Sequence, residues 1–141
     1  DAGHRAVWAA ISAGEFAQAR TMALALLVMA ADRPPAEPQL VAWVLAGLAA
    51  SERALGDRSA AYSAIDRARR ILAAHPNGAT RFRIAYLLVR AELAVDSGDR
   101  AGARQLLADA RRLLDANATE VDAPWQQLRQ REAAISRRIT G

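Results

Sequence analysis

Apolar residues recur with a helical period after three glycines, Gly14, Gly56 and Gly98. The fifth residue after each glycine is Ala, and the ninth, twelfth and sixteenth residues are apolar each time. Steps of four, three and four place these positions on one face of an α-helix. The pattern therefore predicts an amphipathic helix directly after each glycine.

The three glycines lie 42 residues apart, which marks an internal repeat. A second amphipathic segment precedes each glycine, at about residues 3–13, 38–55 and 80–97. Glycine ends a helix well because it adopts the left-handed conformation without a Cβ clash. The acidic residue after each glycine suits the N-cap or first turn of the following helix, where unpaired N–H groups point outward. These acidic residues are Glu15, Asp57 and Asp99.

A turn of two or three residues forces the flanking helices to run antiparallel. The sequence thus predicts an all-α fold of three antiparallel helix pairs in a single domain, residues 1–141. We place the repeats at about 1–34, 35–77 and 78–118, with a C-terminal helix at 119–139. Proline-containing breakers at 32–38 and 75–78 separate the pairs.

Composition agrees with an all-helical chain. Of the 141 residues, 36 are Ala and only 17 are Val, Ile or Thr, which favours helix over strand. Four alanines on the repeated face, at which neighbouring helices are expected to cross closely, are Ala61, Ala68, Ala103 and Ala110. The chain has no Cys, which excludes disulfides, thiol nucleophiles and thiolate zinc sites.

The repeated Gly-acid-x-x-x-Ala-x-x-x-apolar-x-x-Ala pattern resembles the second half of a tetratricopeptide repeat. Pro34 and Pro76 each lie twenty residues past a glycine, near the point where repeats of that family often end in Pro. The 42-residue period exceeds the usual 34 residues and is more similar to the sensor domains of MalT-like, LuxR-type regulators. The resemblance implies a right-handed α-α superhelix whose first helices line a concave groove.

Alignment on the glycines carries the groove positions of that family onto this chain. Trp8 and Trp43 are either partner anchors or core residues, because tryptophan serves both roles. Arg53 is a candidate to receive a partner carboxylate, with an internal salt bridge to Glu92 as the alternative. The predicted groove residues are His4, Trp8, Ile11, Trp43, Ala46, Ala50, Arg53, Leu88, Glu92 and Asp96, with Ala85 and Val95 beside them.

The last amphipathic segment begins at Asp122, an N-cap candidate two residues before Pro124. Its apolar residues are sparse and many polar residues lie between them. This composition is typical of a capping helix that covers the third pair and presents a polar outer surface. The alternative is the first helix of a fourth unit.

All 19 basic residues are Arg, and the formal net charge is +4. The arginine runs are interleaved with acidic residues, which indicates solvated ion pairs on outer helix faces. They include Arg69 and Arg70, Arg111 and Arg112, and Arg129, Arg131, Arg137 and Arg138. An arginine face that binds nucleic acid is the weaker alternative, and we do not expect it.

The chain offers little for catalysis. His4 has no metal-ligating residue at a suitable spacing, and His75 precedes a proline at a predicted helix end, where a cation is favourable. The apolar runs of about eleven residues are too short to cross a bilayer. We therefore expect no enzymatic activity, no cofactor, no metal and no membrane span.

These observations predict a non-catalytic module that binds a protein or peptide in the concave groove. The alternative is an effector-sensing or peptide-sensing domain of a bacterial transcription regulator. We expect a cytoplasmic location, with a mature exported chain as the alternative. Self-association through the terminal repeats is a further expectation.

Overall fold

The computed structural model describes residues 2–140, and all regular secondary structure in this range is α-helical. The prediction of an all-α fold is therefore confirmed. The helices are α1 (Ala2–Ser12), α2 (Phe16–Asp32), α3 (Gln39–Ala54), α4 (Arg58–Ala74), α5 (Thr80–Asp96), α6 (Arg100–Ala116) and α7 (Ala123–Thr140).

The tight turns within the helix pairs form at the repeated glycines. Gly14, Gly56 and Gly98 have φ angles of +78°, +89° and +85°, in the left-handed region that an L side chain rarely adopts. Each glycine ends one helix and reverses the chain, so α1 and α2, α3 and α4, and α5 and α6 form antiparallel hairpins.

The acidic residues after the glycines occupy the N-cap positions. Asp57 accepts a hydrogen bond from the backbone N–H of Ala60 at 3.0 Å, and Asp99 accepts one from Gly102 at 2.9 Å. Glu15 holds the same position before α2 but makes no side-chain capping bond. The shorter aspartate side chain matches the capping geometry, and the sequence prediction holds fully for two of the three acids.

The helices pack in two layers. The first helices of the units, α1, α3 and α5, lie side by side in an inner layer, and the second helices, α2, α4 and α6, form an outer layer. Each first helix after α1 packs on both helices of the preceding unit. This stacking of neighbouring units fits a helical solenoid.

Helix α7 packs on α5 and α6 in the way that α5 packs on α3 and α4. Helix α7 therefore covers the third pair, as a capping helix would. Its contacts are also those that the first helix of a fourth unit would make. Helix α7 also contacts α1, so the four inner helices enclose a common interior.

Small residues let the layers approach closely. Ala61, Ala68, Ala103 and Ala110 are fully buried, as predicted. Helix α3 is the centre of the molecule, since every residue from 42 to 52 is buried. Within it, a Cβ atom on Gly47 would lie 2.9 Å from Val7 Cγ1, so α1 and α3 depend on the glycine for their contact.

Candidate functional site

The candidate site is the inner face, defined here by the facing surfaces of α1, α3, α5 and α7. The structure brings the predicted groove residues together on this face, and most of them are buried within it. The buried ones are Trp8, Ile11, Trp43, Ala46, Ala50, Leu88 and Glu92, and the half-buried ones are His4, Arg53 and Asp96.

One end of the inner face is aromatic. The Trp8 and Trp43 rings lie 5.0 Å apart between centroids, and Trp43 and Phe82 lie 5.2 Å apart. The Trp8 indole N–H donates a hydrogen bond of 3.1 Å to the backbone carbonyl of Trp43. The tilted rings join α1, α3 and α5 at separations favourable for aromatic pairs.

Two arginines lie over these rings. The Arg81 guanidinium is 5.2 Å from the Phe82 ring centroid and 5.9 Å from that of Trp43, and Arg131 lies 5.7 Å from the Trp8 ring. These distances fall within the range of cation–π attraction. The Arg81 Nε atom is buried and makes no hydrogen bond within the described part of the chain.

The other end of the inner face carries an ion-pair cluster. Arg53 binds Asp96 through two hydrogen bonds of 2.5 and 3.0 Å and reaches Glu92 at 3.2 Å. From α7, Arg131 pairs with Glu92 at 2.7 Å and Arg138 pairs with Asp96 at 2.8 Å. The internal pairing of Arg53 with Glu92 is therefore present, and the cluster ties α3, α5 and α7 together.

The cluster changes the titration of its central carboxylate. Burial by itself raises the pKa of Asp96, but the hydrogen bonds from Arg53 and Arg138 outweigh burial and hold the pKa below its ordinary value. Burial by itself lowers the pKa of the Arg53 guanidinium, but the hydrogen bond to Asp96 and the negative charges of Glu92 and Asp96 outweigh burial and raise the pKa. Asp96 is thus held as a carboxylate in the neutral pH range.

The open groove expected from the sequence needs a correction. Helix α7 lies against the inner face and buries Trp125, Leu128, Ile135 and Ile139. Trp8 and Trp43 are each only 3 % exposed, so neither offers a broad open surface. The periodicity within each repeat predicts which face of each helix is buried. It does not predict the long-range contact between α7 and α1. Partner binding by these residues stays a prediction.

One opening remains beside the tryptophans. A cavity of about 220 Å³ lies between α1, α3 and the N-terminal end of α7. Trp8 and Trp43 form its apolar wall, and Arg5, Asp122 and Gln127 contribute polar groups. Ala9, Ala123 and Pro124 complete the lining. The cavity is large enough for one bulky side chain of a bound segment. Its lining includes one positively charged residue, Arg5, and one negatively charged residue, Asp122.

The arginine runs divide between two environments. Arg69 and Arg70 pair with Asp66 on the exposed outer side of α4, as predicted. Arg131 does not lie on an outer face, because its side chain is only 17 % exposed and it pairs with Glu92. The simple alternation of arginines and acids along α7 cannot distinguish a solvated pair from a pair across helices.

The sequence did not assign several residues to the inner face, namely Arg5, Arg81, Phe82, Asp122, Gln127, Arg131 and Arg138. A signal was present for two of them. Arg131 and Arg138 are seven residues apart, on one helix face, and Glu92 and Asp96 are four apart on another. Matching these two charged stripes predicts the pairing of α7 with α5.

The two histidines are weakly placed for chemistry. His4 is half-buried at the start of α1, and burial lowers the pKa of its imidazole. His75 is the C-cap residue of α4, the helix end expected for it.

Residues 2–140 contain no group of three His, Cys, Asp or Glu side chains arranged to hold a metal ion. No helix in this range is long and apolar enough to cross a membrane.

No model of a known protein family, no curated protein and no solved structure matches this chain.

Proposed function

We propose that this chain is a non-catalytic protein-interaction module that binds a segment of a partner protein at its inner face. In this proposal the helix pairs form a right-handed superhelix of the tetratricopeptide type. The support is the repeated Gly-acid turn together with the packing of each first helix on the preceding pair.

Helix α7 indicates which chemistry the inner face accepts. It buries four large apolar residues and pairs two arginines, Arg131 and Arg138, with the acids Glu92 and Asp96. An amphipathic helix with cations beside its apolar stripe is therefore compatible with this face, as in other helix-in-groove recognition. Because α7 already fills most of this face, the ligand class that we propose is a partner segment with a large apolar residue beside a charged one, which enters at the cavity beside Trp8 and Trp43.

The cavity beside Trp8 and Trp43 is the single observation that carries the proposal. It combines an apolar wall of two indole rings with Arg5 and Asp122, and it lies where the inner face meets solvent. Binding hot spots commonly take this form, with a large side chain seated in an apolar pocket and polar groups that fix its orientation. We infer that a bulky apolar residue of the partner inserts here.

Binding rather than catalysis is supported by the state of the titratable groups. The inner carboxylates of Glu92 and Asp96 are engaged by Arg53, Arg131 and Arg138. A general base needs a free carboxylate or imidazole within reach of a substrate proton. The pairing of outer arginines with Asp66, Asp109 and Glu132 also supports a protein ligand over nucleic acid, because paired guanidiniums release fewer counterions.

A second candidate function is favoured by the way in which α7 is held. Ion pairs from Arg131 and Arg138 fasten α7 to α5, and a segment of six residues, 117–122, precedes it. A ligand that competes with these contacts would release α7 and change the curvature of the stacked units. This arrangement suits a sensor domain similar to those of MalT-like bacterial regulators. A regulator of that kind would act in the cytoplasm.

The proposal is tested by panning a peptide-display library on the immobilised chain and measuring affinities of synthetic copies of the selected peptides. Gln127→Phe fills the cavity from α7 and is expected to weaken binding about tenfold or more. Gln126→Phe, at the adjacent exposed position outside the cavity lining, is the matched control and should keep the wild-type affinity.

The three tryptophans provide a direct readout of binding. Trp8 and Trp43 line the cavity and Trp125 directly follows Pro124 of its lining, so an inserted side chain should shift the tryptophan fluorescence emission. Selection of no peptide, or equal affinities for wild type and Gln127→Phe, contradicts the proposal. Compaction or expansion of the wild type with bound peptide, measured by small-angle scattering, would favour the sensor candidate.

A further inference from the structure

The outer layer is open between its helices. Helices α4 and α6 do not contact each other, although both pack on α5, so the outer side of α5 is the floor of a groove between them. Helices α2 and α4 flank α3 in the same way. The inner helices, in contrast, contact their neighbours directly. Neighbouring units therefore splay apart toward the outer side of the molecule.

The groove over α5, here called the outer groove, has a volume of about 510 Å³, within the range of small-molecule sites. Its base is apolar, because Ile65 and Leu93 are buried and Leu106 is half-buried. The turn between α5 and α6 closes one end of the groove with Ser97 and Asp99. A closed end favours a compact ligand over a segment that runs through.

Two tyrosines form the aromatic part of the lining. Tyr62 of α4 reaches across to α5, where its hydroxyl donates a hydrogen bond of 3.3 Å to the backbone carbonyl of Leu93. Tyr62 is nevertheless 42 % exposed, whereas Tyr86 of α5 is buried. The hydrogen bond fixes the position of the Tyr62 ring, and the ring keeps a surface that a ligand can contact.

The outer groove contains a cation that lacks an acidic partner. The exposed Arg90 guanidinium lies 5.5 Å from the centroid of the Tyr86 ring and donates a hydrogen bond of 3.1 Å to the Tyr86 hydroxyl. It forms no ion pair within residues 2–140. Because the tyrosine holds this guanidinium in one orientation, a carboxylate that binds it costs little side-chain entropy.

The preceding unit provides a comparison at equivalent positions. In the groove over α3, Arg20 pairs with Glu52 at 3.5 Å, so that groove neutralises its own charges. The residues 42 positions later are Tyr62 and Ala94. The outer groove therefore has an aromatic ring and a small residue where the preceding groove has an ion pair.

The floor of the outer groove differs from the preceding one in charge as well. Arg83 lies seven residues before Arg90, on the same face of α5. Arg83 donates a hydrogen bond to a backbone carbonyl and has no acidic partner in the part of the chain that the structure describes. The equivalent residues of α3 are Val41 and Leu48, so neither arginine is a feature of the repeat.

The acidic residues of the outer groove do not neutralise Arg90. Asp66 forms ion pairs with both Arg69 and Arg70. Asp99 is engaged as the N-cap residue of α6. The floor of the groove therefore attracts an anion.

We propose that the outer groove binds a small aromatic carboxylate. The carboxylate pairs with the Arg90 guanidinium, and the ring packs between Tyr62 and the apolar base of the groove. The lining shares no residue with the cavity beside Trp8 and Trp43, so this site is separate from the proposed partner site on the inner face.

The test measures binding of para-fluorophenylacetate to the intact chain by fluorine NMR. The ligand control is para-fluorophenylacetamide, which has the same ring without the charge. We expect a millimolar dissociation constant for the acid and binding at least tenfold weaker for the amide. In proton–nitrogen correlation spectra, the acid should shift the backbone amides of Ser97 and Gly102. The tryptophan indole signals should stay unchanged, because no tryptophan lines the groove.

Two substitutions test the assigned contacts. Arg90→Leu introduces the residue found at the equivalent position of α3, so it should fold, and it should weaken binding of the acid at least tenfold. Tyr62→Ala should weaken binding severalfold with the charge intact. Arg104→Leu removes an exposed arginine of α6 outside the lining and should bind as wild type does. Thermal unfolding confirms that each variant is folded.

No binding of the acid by wild type overturns the proposal. Equal affinities for acid and amide, or wild-type affinity of Arg90→Leu, also overturn it. Shifts confined to the tryptophan signals would place the acid at the inner face and contradict the proposed site. Peptides that shift Ser97 and Gly102 when the acid does not would assign the outer groove to a protein partner instead. Each of these results leaves the inner-face proposal to its own test.

Discussion

The Trp8 side chain donates a hydrogen bond of 3.1 Å to the backbone carbonyl of Trp43, 35 residues further along the chain. The two indole rings are in contact at 5.0 Å, so α1 and α3 are joined by both packing and a directed polar bond. This contact connects the first two repeats and forms one wall of the cavity proposed to bind a partner.

Trp8→Phe keeps an aromatic ring but removes the hydrogen-bond donor. We expect a lower free energy of unfolding, by about 1 kcal/mol beyond the loss of ring volume, because a buried hydrogen bond contributes about that much. Trp125→Phe, at a buried tryptophan of α7, is the matched control for ring volume. Denaturant unfolding measures both variants, and equal losses would show that the indole N–H contributes nothing.

Gly47→Ala tests the close approach of α1 and α3. A Cβ at this position would lie 2.9 Å from Val7 Cγ1 and 3.3 Å from Trp8 Nε1. We expect a loss of about 1 to 3 kcal/mol from overpacking, which outweighs the gain of about 1 kcal/mol in helix propensity. Thermal and denaturant unfolding provide the measurement.

A second substitution separates steric crowding from other effects of Gly47→Ala. Val7→Ala removes the methyl group nearest to the added Cβ. In the double variant, the two losses should therefore be less than additive. Strict additivity, or a Gly47→Ala protein more stable than wild type, would refute the crowding argument.

Ala103→Leu tests the predicted close crossing of α5 and α6. Ala103 is fully buried, so the larger side chain should overpack the crossing and reduce stability by about 1 to 3 kcal/mol. Ala101→Leu, at an exposed position of the same helix, should leave the melting temperature nearly unchanged. Similar melting temperatures for both variants would place Ala103 outside a tight contact.

Asp96→Asn tests the ion-pair cluster through the pH dependence of the free energy of unfolding. Because the folded pKa lies below the ordinary 3.8, the carboxylate stabilises the fold above that pH and loses this contribution as pH falls through the folded pKa. The variant should be less stable at neutral pH and should lose less stability on acidification. Parallel pH profiles for wild type and variant would contradict the assigned role.

The sequence predicts the local part of this structure well. Helix boundaries follow from Gly14, Gly56 and Gly98 and from the caps at Asp57 and Asp99, since turns and caps depend on a few neighbouring residues. The burial of Ala61 and Ala103 follows from the same short-range periodicity. The burial of these positions depends only on the helix that contains them and on the helix packed next to it.

The closure of the inner face could not be predicted in the same way. It depends on Arg131 meeting Trp8 and Glu92, which lie far away in the chain, and on small rotations accumulated over successive units. The groove was therefore predicted as open. Gly47 was also missed, because its contact partner Val7 belongs to the preceding repeat.

Helix α7 lies on the inner face and closes it against α1, and this closure can be measured directly. The absence of cysteine allows two spin labels to be attached at engineered cysteines alone, Ser12→Cys on α1 and Arg137→Cys on α7, both exposed. The distance between the labels, measured by double electron–electron resonance, should give one narrow distribution at the separation in the structure. A broad distribution that extends to much longer distances would contradict the claim.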